Sequence, residues 1–198
     1  ILGELYPDAR CHLNYENALE LLIGCILSAQ CTDKRVNEVT VPLFEKYPTA
    51  AHFARADRAE LESEIHSCGF FRAKANSIIN CAKALVAEHD GVVPRTMEEL
   101  TELAGVGRKT ANVVLGNYYG VPGIIVDTHI KRLSKRLGFT KNSDPVKIEF
   151  DLMKLIPEEK WTFFSNSLGD HGRNVCFARK PRCGDCDISH LCPSAGKV

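Results

Sequence analysis

The sequence predicts an all-α protein. Apolar residues recur with helical spacing along most of the 198 residues. The one β-like run, residues 123–126, is too short to build a sheet. With 44% hydrophobic and 25% charged residues, the composition is that of an ordinary globular protein and excludes a disordered chain. No apolar run approaches the roughly 18 residues that a membrane span needs.

Three long helices are predicted in the first half of the chain. Residues 15–29 are apolar almost all the way round, which predicts a buried central helix. Residues 33–46 form an amphipathic helix, whose predicted buried stripe is Val36, Val39, Leu43 and Phe44. Residues 71–88 repeat this pattern, with a predicted stripe of Ala75, Ile78, Ile79, Ala82, Leu85 and Val86.

Shorter helices follow, and several have recognisable starts. They are expected over residues 96–103, from 108 to about 119, over 128–137, from 145 towards Pro157, and over roughly 158–170. Thr96 and Glu99 have the spacing of a capping box. Asp127 stands where an N-cap would, and Asp144-Pro145 has the form of an N-cap followed by proline at the first helical position.

The net charge is zero, but the charge is unevenly distributed. Residues 1–104 carry a balance of −6, residues 105–136 carry +5, and residues 170–198 carry +2. A basic segment of this kind is typical of a surface that binds an anionic partner. A solvated helix face is the alternative that charge alone leaves open.

The cysteines form two groups. Five of the nine are scattered through the first half, and Cys25 and Cys81 fall on apolar helix faces, where we expect them in the core. The other four, with the spacing C-x6-C-x2-C-x5-C, are Cys176, Cys183, Cys186 and Cys192. Four such thiolates suit either a tetrahedral zinc ion or a [4Fe–4S] cluster, and their spacing alone leaves both open. Free thiols in this number indicate a reducing compartment.

The glycine turn at residues 105–107 predicts a phosphate site. Gly105 and Gly107 permit backbone conformations that side chains forbid, and the N-terminus of the next helix follows at once. Amide groups in such a place bind anions without reading sequence. An ordinary turn between two helices is the alternative.

Four segments together resemble the endonuclease III family of DNA glycosylases. They are LAGVGRKTANVVL around the glycine turn, LSAQCTD (residues 27–33), IIVDTHIKRL (124–133) and CFARKPRCGDC (176–186). The segments span nearly the whole chain in the family's order. One departure is Ala104, where the family usually has proline, and its added freedom in the unfolded chain costs about 0.4–1 kcal/mol.

The resemblance implies a fold and an activity. The expected fold has two lobes: a helical barrel at 11–121 that contains a helix-hairpin-helix, and a second lobe of 1–10 plus 122–198 that holds a [4Fe–4S] cluster on the four cysteines. The implied enzyme excises damaged bases, above all oxidised pyrimidines, from double-stranded DNA in the cleft between the lobes. It then cleaves the abasic site as a lyase. We expect a monomer in the cytoplasm with no membrane association.

The resemblance also assigns the chemistry. Lys109 is expected to attack the sugar of a flipped nucleotide and form a Schiff base, and Asp127 to stabilise the positive charge that develops there. The attack needs a neutral amine, which the helix N-terminus and Arg108 favour and a nearby carboxylate opposes. For Asp127, spacing alone favours a simple N-cap, and both roles are compatible.

Further residues are expected to contact DNA. By resemblance Gln30 fills the gap that the flipped base leaves, and Phe70 acts as a second wedge, with Phe71 as the rival for that place. Without the resemblance, Gln30 is a polar residue at a helix end and Phe70 is a core residue. The predicted phosphate contacts are Gly105, Gly107, Arg108, Arg179, Lys180 and Arg182.

Three other functions remain as alternatives. An adenine mismatch glycosylase shares the cluster but lacks the lysine at position 109. A thymine or uracil mismatch glycosylase shares the fold. A non-catalytic DNA-binding or redox-sensing module would use only the hairpin and the cluster, and the presence of both Lys109 and Asp127 disfavours it.

Overall fold

The computed structural model describes residues 1–198 and contains helices and turns but no strand, so the predicted all-α fold is confirmed. Its α-helices are α1 (Leu2–Leu5), α2 (Ala18–Leu27), α3 (Asp33–Lys46), α4 (Ala50–Ala54), α5 (Arg58–Glu64), α6 (Phe71–Glu88), α7 (Met97–Glu102), α8 (Arg108–Asn117), α9 (Thr128–Arg136), α10 (Pro145–Met153) and α11 (Trp161–Asn174). None of them is long and apolar enough to cross a membrane.

The chain divides into two compact units. One unit is residues 12–120, and the other combines residues 1–11 with residues 121–198. The second unit is therefore discontinuous in sequence, and the first is inserted into it.

Helix α2 is the centre of the 12–120 unit. Its buried residues are Ala18, Leu21, Leu22, Ile23, Gly24, Cys25, Ile26 and Leu27, so the prediction of a helix buried on all sides is confirmed. The helix begins later than predicted because the Asn17 side chain accepts a hydrogen bond from the Glu20 amide at 3.0 Å and caps it there.

Helices α3 and α6 have the predicted bounds, but the predicted stripe on α6 is wrong at one position. Val86 is 43% exposed although the adjacent Leu85 is fully buried, so the buried face of α6 does not include position 86. The short helices α4 and α5, of five and seven residues, were not predicted. They are too short for a hydrophobic period to show.

The second unit has its own core. Helices α9, α10 and α11 enclose a cluster that includes Ile124, Leu133, Leu152 and Leu168. The buried run at 123–126 forms no ladder. Instead, the Ile125 amide donates to Ser165 Oγ on α11 at 2.9 Å, which satisfies a buried donor without a second strand.

Two predicted caps in this unit are confirmed, and two helix ends differ from the prediction. Asp127 and Asp144 cap α9 and α10 through their side chains. Helix α10 ends at Met153, before Pro157, and α11 extends to Asn174.

The turn between α7 and α8 has a specific reason for its first glycine. The Val106 amide donates to the Leu103 carbonyl at 3.1 Å. Gly105, the third residue of this turn, has φ +78°. This is the pattern of a type II turn, which needs glycine at its third position and often has proline at its second. A Cβ on Gly105 would also lie only 2.7 Å from the Cβ of Ser77 on α6.

We therefore predict that Gly105→Ala destabilises the protein by about 1–3 kcal/mol, through backbone strain and overpacking against α6. Gly107→Ser is the matched control, because Gly107 has φ −98° and a Cβ there would meet nothing within 4 Å. Its free energy of unfolding should change by no more than about 0.5 kcal/mol. Urea denaturation measures both, and equal stability of the two variants would contradict this account of the turn.

Candidate functional site

Lys109 stands at the exposed start of α8. It is the second residue of the helix, and Gly107, as N-cap, contributes no side-chain hydrogen bond. Helix N-termini carry a partial positive charge and amide donors that a cap or a ligand can satisfy. A glycine cap supplies no side-chain acceptor for these amides, and helix starts of this kind are suited to binding anions.

Gly105 and Gly107 serve this turn for different reasons. Gly105 is required by the fold, as its φ and its contact with Ser77 show. At Gly107 the fold would accept a side chain, because its backbone is extended and its missing Cβ points into open space. A glycine that the fold does not need is consistent with close approach of a ligand to the backbone.

Gln30 and Phe70 share an unusual backbone conformation. Both are exposed, and both lie in the left-handed region, with φ values of 52° and 48°. For residues with side chains this conformation costs on the order of 1–3 kcal/mol and is concentrated at functional sites. The alternative prediction that Phe70 is a core residue is wrong, because 66% of its surface is exposed.

Phe71, the rival of Phe70, is partly buried and packs against neighbouring side chains. Its ring lies 4.5 Å from the ring of His66, and the Arg72 guanidinium lies 5.5 Å from its centroid. Phe70 carries no such ring contact, so of the two phenylalanines it is the one available to an external partner.

Asp127 caps α9 through one oxygen. Its Oδ1 accepts a hydrogen bond from the Ile130 amide at 2.8 Å, so the N-cap interpretation is confirmed. The carboxylate is only partly buried. A cap of this kind fixes the orientation of a charged group that remains in reach of solvent.

The four clustered cysteines line one pocket. Besides their thiols, the walls include the apolar side chains of Leu133, Leu137, Val175 and Ile188. Burial raises the pKa of Cys186, a backbone hydrogen bond from Ile188 lowers it, and the charges of the other three thiols raise it further. No three potential ligands close around a single point in the structure.

Two arginines of α9 hold the segment that begins with Cys176. Arg132 donates to the Cys176 carbonyl from Nε at 3.2 Å and from Nη2 at 2.9 Å. Arg136 donates from Nη1 to the Phe177 carbonyl at 2.6 Å and to Cys176 Sγ at 3.3 Å. These bonds fix the first cysteine and the backbone after it against α9.

The N-terminal residues reach the same pocket. The Tyr6 hydroxyl lies 3.1 Å from His171 Nδ1, and the Nε2 of that buried histidine lies 3.4 Å from Cys186 Sγ. Burial lowers the pKa of His171, which favours its neutral form beside the thiols.

The basic residues of the cysteine loop, residues 176–192, differ in their contacts. Arg179, Lys180 and Arg182 are all exposed. Arg182, however, donates to the Asn174 carbonyl and lies 5.3 Å from the centroid of the Phe177 ring, so it is partly engaged within its own loop. Lys180 has a left-handed backbone, with φ 52°.

The sequence reasoning missed one residue, Lys74. It lies on the apolar stripe of α6, is only 5% exposed, and donates to the Leu27 and Cys68 carbonyls, each at 2.8 Å. Those carbonyls belong to the segments just before Gln30 and Phe70. The sequence signal that could have identified it is its position one turn before Ile78, which places a lysine on the buried face of the helix.

Comparison with known proteins supplies the context for this geometry. Residues 23–158 match the HhH-GPD superfamily of base excision DNA repair proteins. The chain is 57% identical over 196 residues to endonuclease III of Synechocystis sp., a match covering 98% of this chain and 90% of that protein.

Two solved structures are similar over nearly the full chain. One is a non-covalent endonuclease III–DNA complex, with a TM-score of 0.95 and 45% identity over 98% of this chain and 91% of that one. The other is a trapped endonuclease III–DNA covalent intermediate, with the same TM-score and identity over 98% of this chain and 92% of that one.

Proposed function

The chain belongs to the HhH-GPD superfamily of base excision DNA repair proteins, and on this premise we propose that it is a bifunctional DNA glycosylase and abasic-site lyase. Its substrate is duplex DNA that contains an oxidised pyrimidine. The observation that carries the proposal is the exposed Lys109 at the start of α8, in a chain whose solved relative has been trapped covalently on DNA.

Phosphate binding positions the DNA. The amide groups of the turn at Gly105 and Gly107 and of the first turn of α8 bind a backbone phosphate, and Arg108 adds a positive charge. Such contacts set register without reading base sequence. A lesion-searching enzyme needs this property, because damage occurs in every sequence context.

Lys109 is the nucleophile. Its neutral amine attacks C1′ of the flipped nucleotide, the C1′–N bond breaks, and the base leaves with the bonding electrons and takes up a proton. After the sugar ring opens, the lysine is joined to C1′ as a Schiff base. This electron-withdrawing group allows loss of a C2′ proton and departure of the 3′ phosphate by β-elimination.

Asp127 stabilises the positive charge that develops on the sugar while the base leaves. The Ile130 amide holds Oδ1 in place, so the carboxylate needs little reorganisation during the reaction. Capping and catalysis are therefore compatible uses of the same side chain.

Gln30 and Phe70 replace the extruded base. Removing a base from the stack costs a few kcal/mol, and side chains that fill the gap offset part of that cost. Their exposure and left-handed backbone support this role, because neither feature helps the protein fold.

A [4Fe–4S] cluster on Cys176, Cys183, Cys186 and Cys192 fits the donor set. All four thiols line one largely apolar pocket, and Arg136 donates a hydrogen bond to one of the sulfur atoms. When bound, the group supplies covalent cross-links that order the loop, whose Arg179, Lys180 and Arg182 then contact phosphates. We propose that the enzyme acts as a monomer in the cytoplasm.

The central test is borohydride trapping on a duplex with an oxidised pyrimidine. Wild-type protein should form a covalent complex, because borohydride reduces the Schiff base, and Lys109→Gln should form none. Its DNA affinity should stay within about threefold of wild type, since one exposed charge contributes little. Lys83→Gln, an exposed lysine of α6, is the control and should trap normally. Full trapping by Lys109→Gln would assign the nucleophile to another amine.

Asp127 is tested by separating its two uses. Asp127→Asn keeps an oxygen for the Ile130 amide, so the protein should unfold at nearly the wild-type urea concentration while losing most base excision. Asp127→Ala should lose about 1 kcal/mol of stability as well, because it also removes the cap. Near-normal excision by the Asn variant would show that the residue only caps α9.

The metal is tested by analysis of purified protein. We expect about four iron atoms per chain and a yellow-brown colour from the four thiolates. A double Cys183→Ser, Cys186→Ser variant should lose both, whereas Cys81→Ala should retain them, because Cys81 is buried in the other unit. A colourless protein with one zinc ion per chain would contradict the assignment.

A further inference from the structure

Lys74 is a buried cation in the 12–120 unit that the proposed mechanism does not use. Its ammonium donates to the carbonyl of Leu27, the last residue of α2, and to the carbonyl of Cys68, the last residue of a short 3-10 helix, each at 2.8 Å. Leu27 lies three residues before Gln30, and Cys68 lies two residues before Phe70. One side chain therefore bridges the two segments that lead into the wedge residues.

The ammonium group of Lys74 is held by neutral hydrogen-bond acceptors, the two backbone carbonyls. Burial lowers the pKa of Lys74, and the thiols of Cys31 and Cys68 raise it by a smaller amount. Burial, reinforced by Cys31, raises the pKa of Cys68 to about 11, so this thiol is neutral near pH 7. The ammonium is thus stabilised by peptide dipoles, including the C-terminal end of α2, where positive charge is favoured.

The two carbonyls that Lys74 joins lie close in sequence to two residues with strained backbone conformations. Gln30 and Phe70 are two of the four non-glycine residues with positive φ in the chain. Each follows an acceptor of Lys74 within three residues. A left-handed residue in an exposed turn keeps its conformation only when the surrounding structure determines it. The two hydrogen bonds of Lys74 fix the backbone just before each strained residue.

We propose that Lys74 is a positioning residue that holds Gln30 and Phe70 together in the conformation that enters the duplex. This inference rests on the proposed function of those two side chains. A cation serves this purpose because it can donate to two carbonyls from different segments at once, and burial excludes water as a competing donor. Lys74 touches no reacting atom and acts only through the two loops.

The test compares two substrates that differ in their need for a wedge. Lys74→Met keeps the length of the side chain and removes the donors. We expect single-turnover excision of a paired oxidised pyrimidine to fall at least tenfold. Strand cleavage at a preformed abasic site should stay within about threefold of wild type, since no base has to be extruded there.

Two controls separate positioning from general destabilisation. Cys81→Ala, a truncation of a fully buried residue on the same helix, should not change the ratio of the two rates. In a Gln30→Ala, Phe70→Ala background, adding Lys74→Met should lower excision less than twofold further, because the residues through which it acts are gone. A tenfold further loss would overturn the proposal, and so would equal losses on both substrates.

A failure of the Lys74 proposal can be distinguished from a failure of the proposed function. If wild-type protein fails to trap on damaged DNA, the proposed function fails. If wild type traps and Lys74→Met excises paired lesions at the wild-type rate, only the role of Lys74 fails. Should Lys74→Met not fold, Lys74→Gln, whose side-chain nitrogen stands one bond short of the ammonium position and so cannot reach both carbonyls, is measured in the same way. Wild-type rates for that variant on both substrates would likewise overturn the proposal.

Discussion

The burial of α2 is the constraint on which the 12–120 unit depends. Burying a large aliphatic side chain contributes about 1.5–3 kcal/mol, and Leu21, Leu22, Ile23 and Leu27 are all fully inaccessible. A helix enclosed on every side fixes the elements around it. Its Ile26 side chain lies against the turn at Gly105, and its Leu27 carbonyl accepts from Lys74. The turn before Lys109 and the loop that carries Gln30 are thus positioned by the same helix.

Helix α9 has a comparable place in the second unit. Its nine residues span about 13 Å, with Asp127 at the N-terminal end and Arg136 at the C-terminal end. Ile130 and Leu133 anchor one face in the core, while Arg132 and Arg136 bind carbonyls of the cysteine loop from another. The conformation of Cys176 is therefore determined in part by protein hydrogen bonds, independently of any metal, and Asp127 is oriented by the same rigid helix.

Sequence reasoning succeeded where one physical signal dominated. The bounds of α3 and α6 follow from a strong hydrophobic period, and the starts of α9 and α10 follow from caps with clear side-chain chemistry. It failed for α4 and α5, which are too short to show a period, and for Val86, which lies on the exposed face of α6. The roles proposed for Gln30 and Phe70 came only from resemblance, because a phenylalanine is placed in the core by default.

Lys74 shows most clearly why part of the candidate site could not be predicted from sequence. A lysine is treated as a surface residue, since an unpaired buried charge is costly. Here two carbonyl groups offset that cost, and they come from segments 41 residues apart in the chain, at positions 27 and 68. Every residue has a backbone carbonyl, so the sequence does not mark these two as hydrogen-bond acceptors. The interaction exists only once α2, the 3-10 helix and α6 have packed, so the local pattern can show that Lys74 lies on a buried face but cannot show its partners.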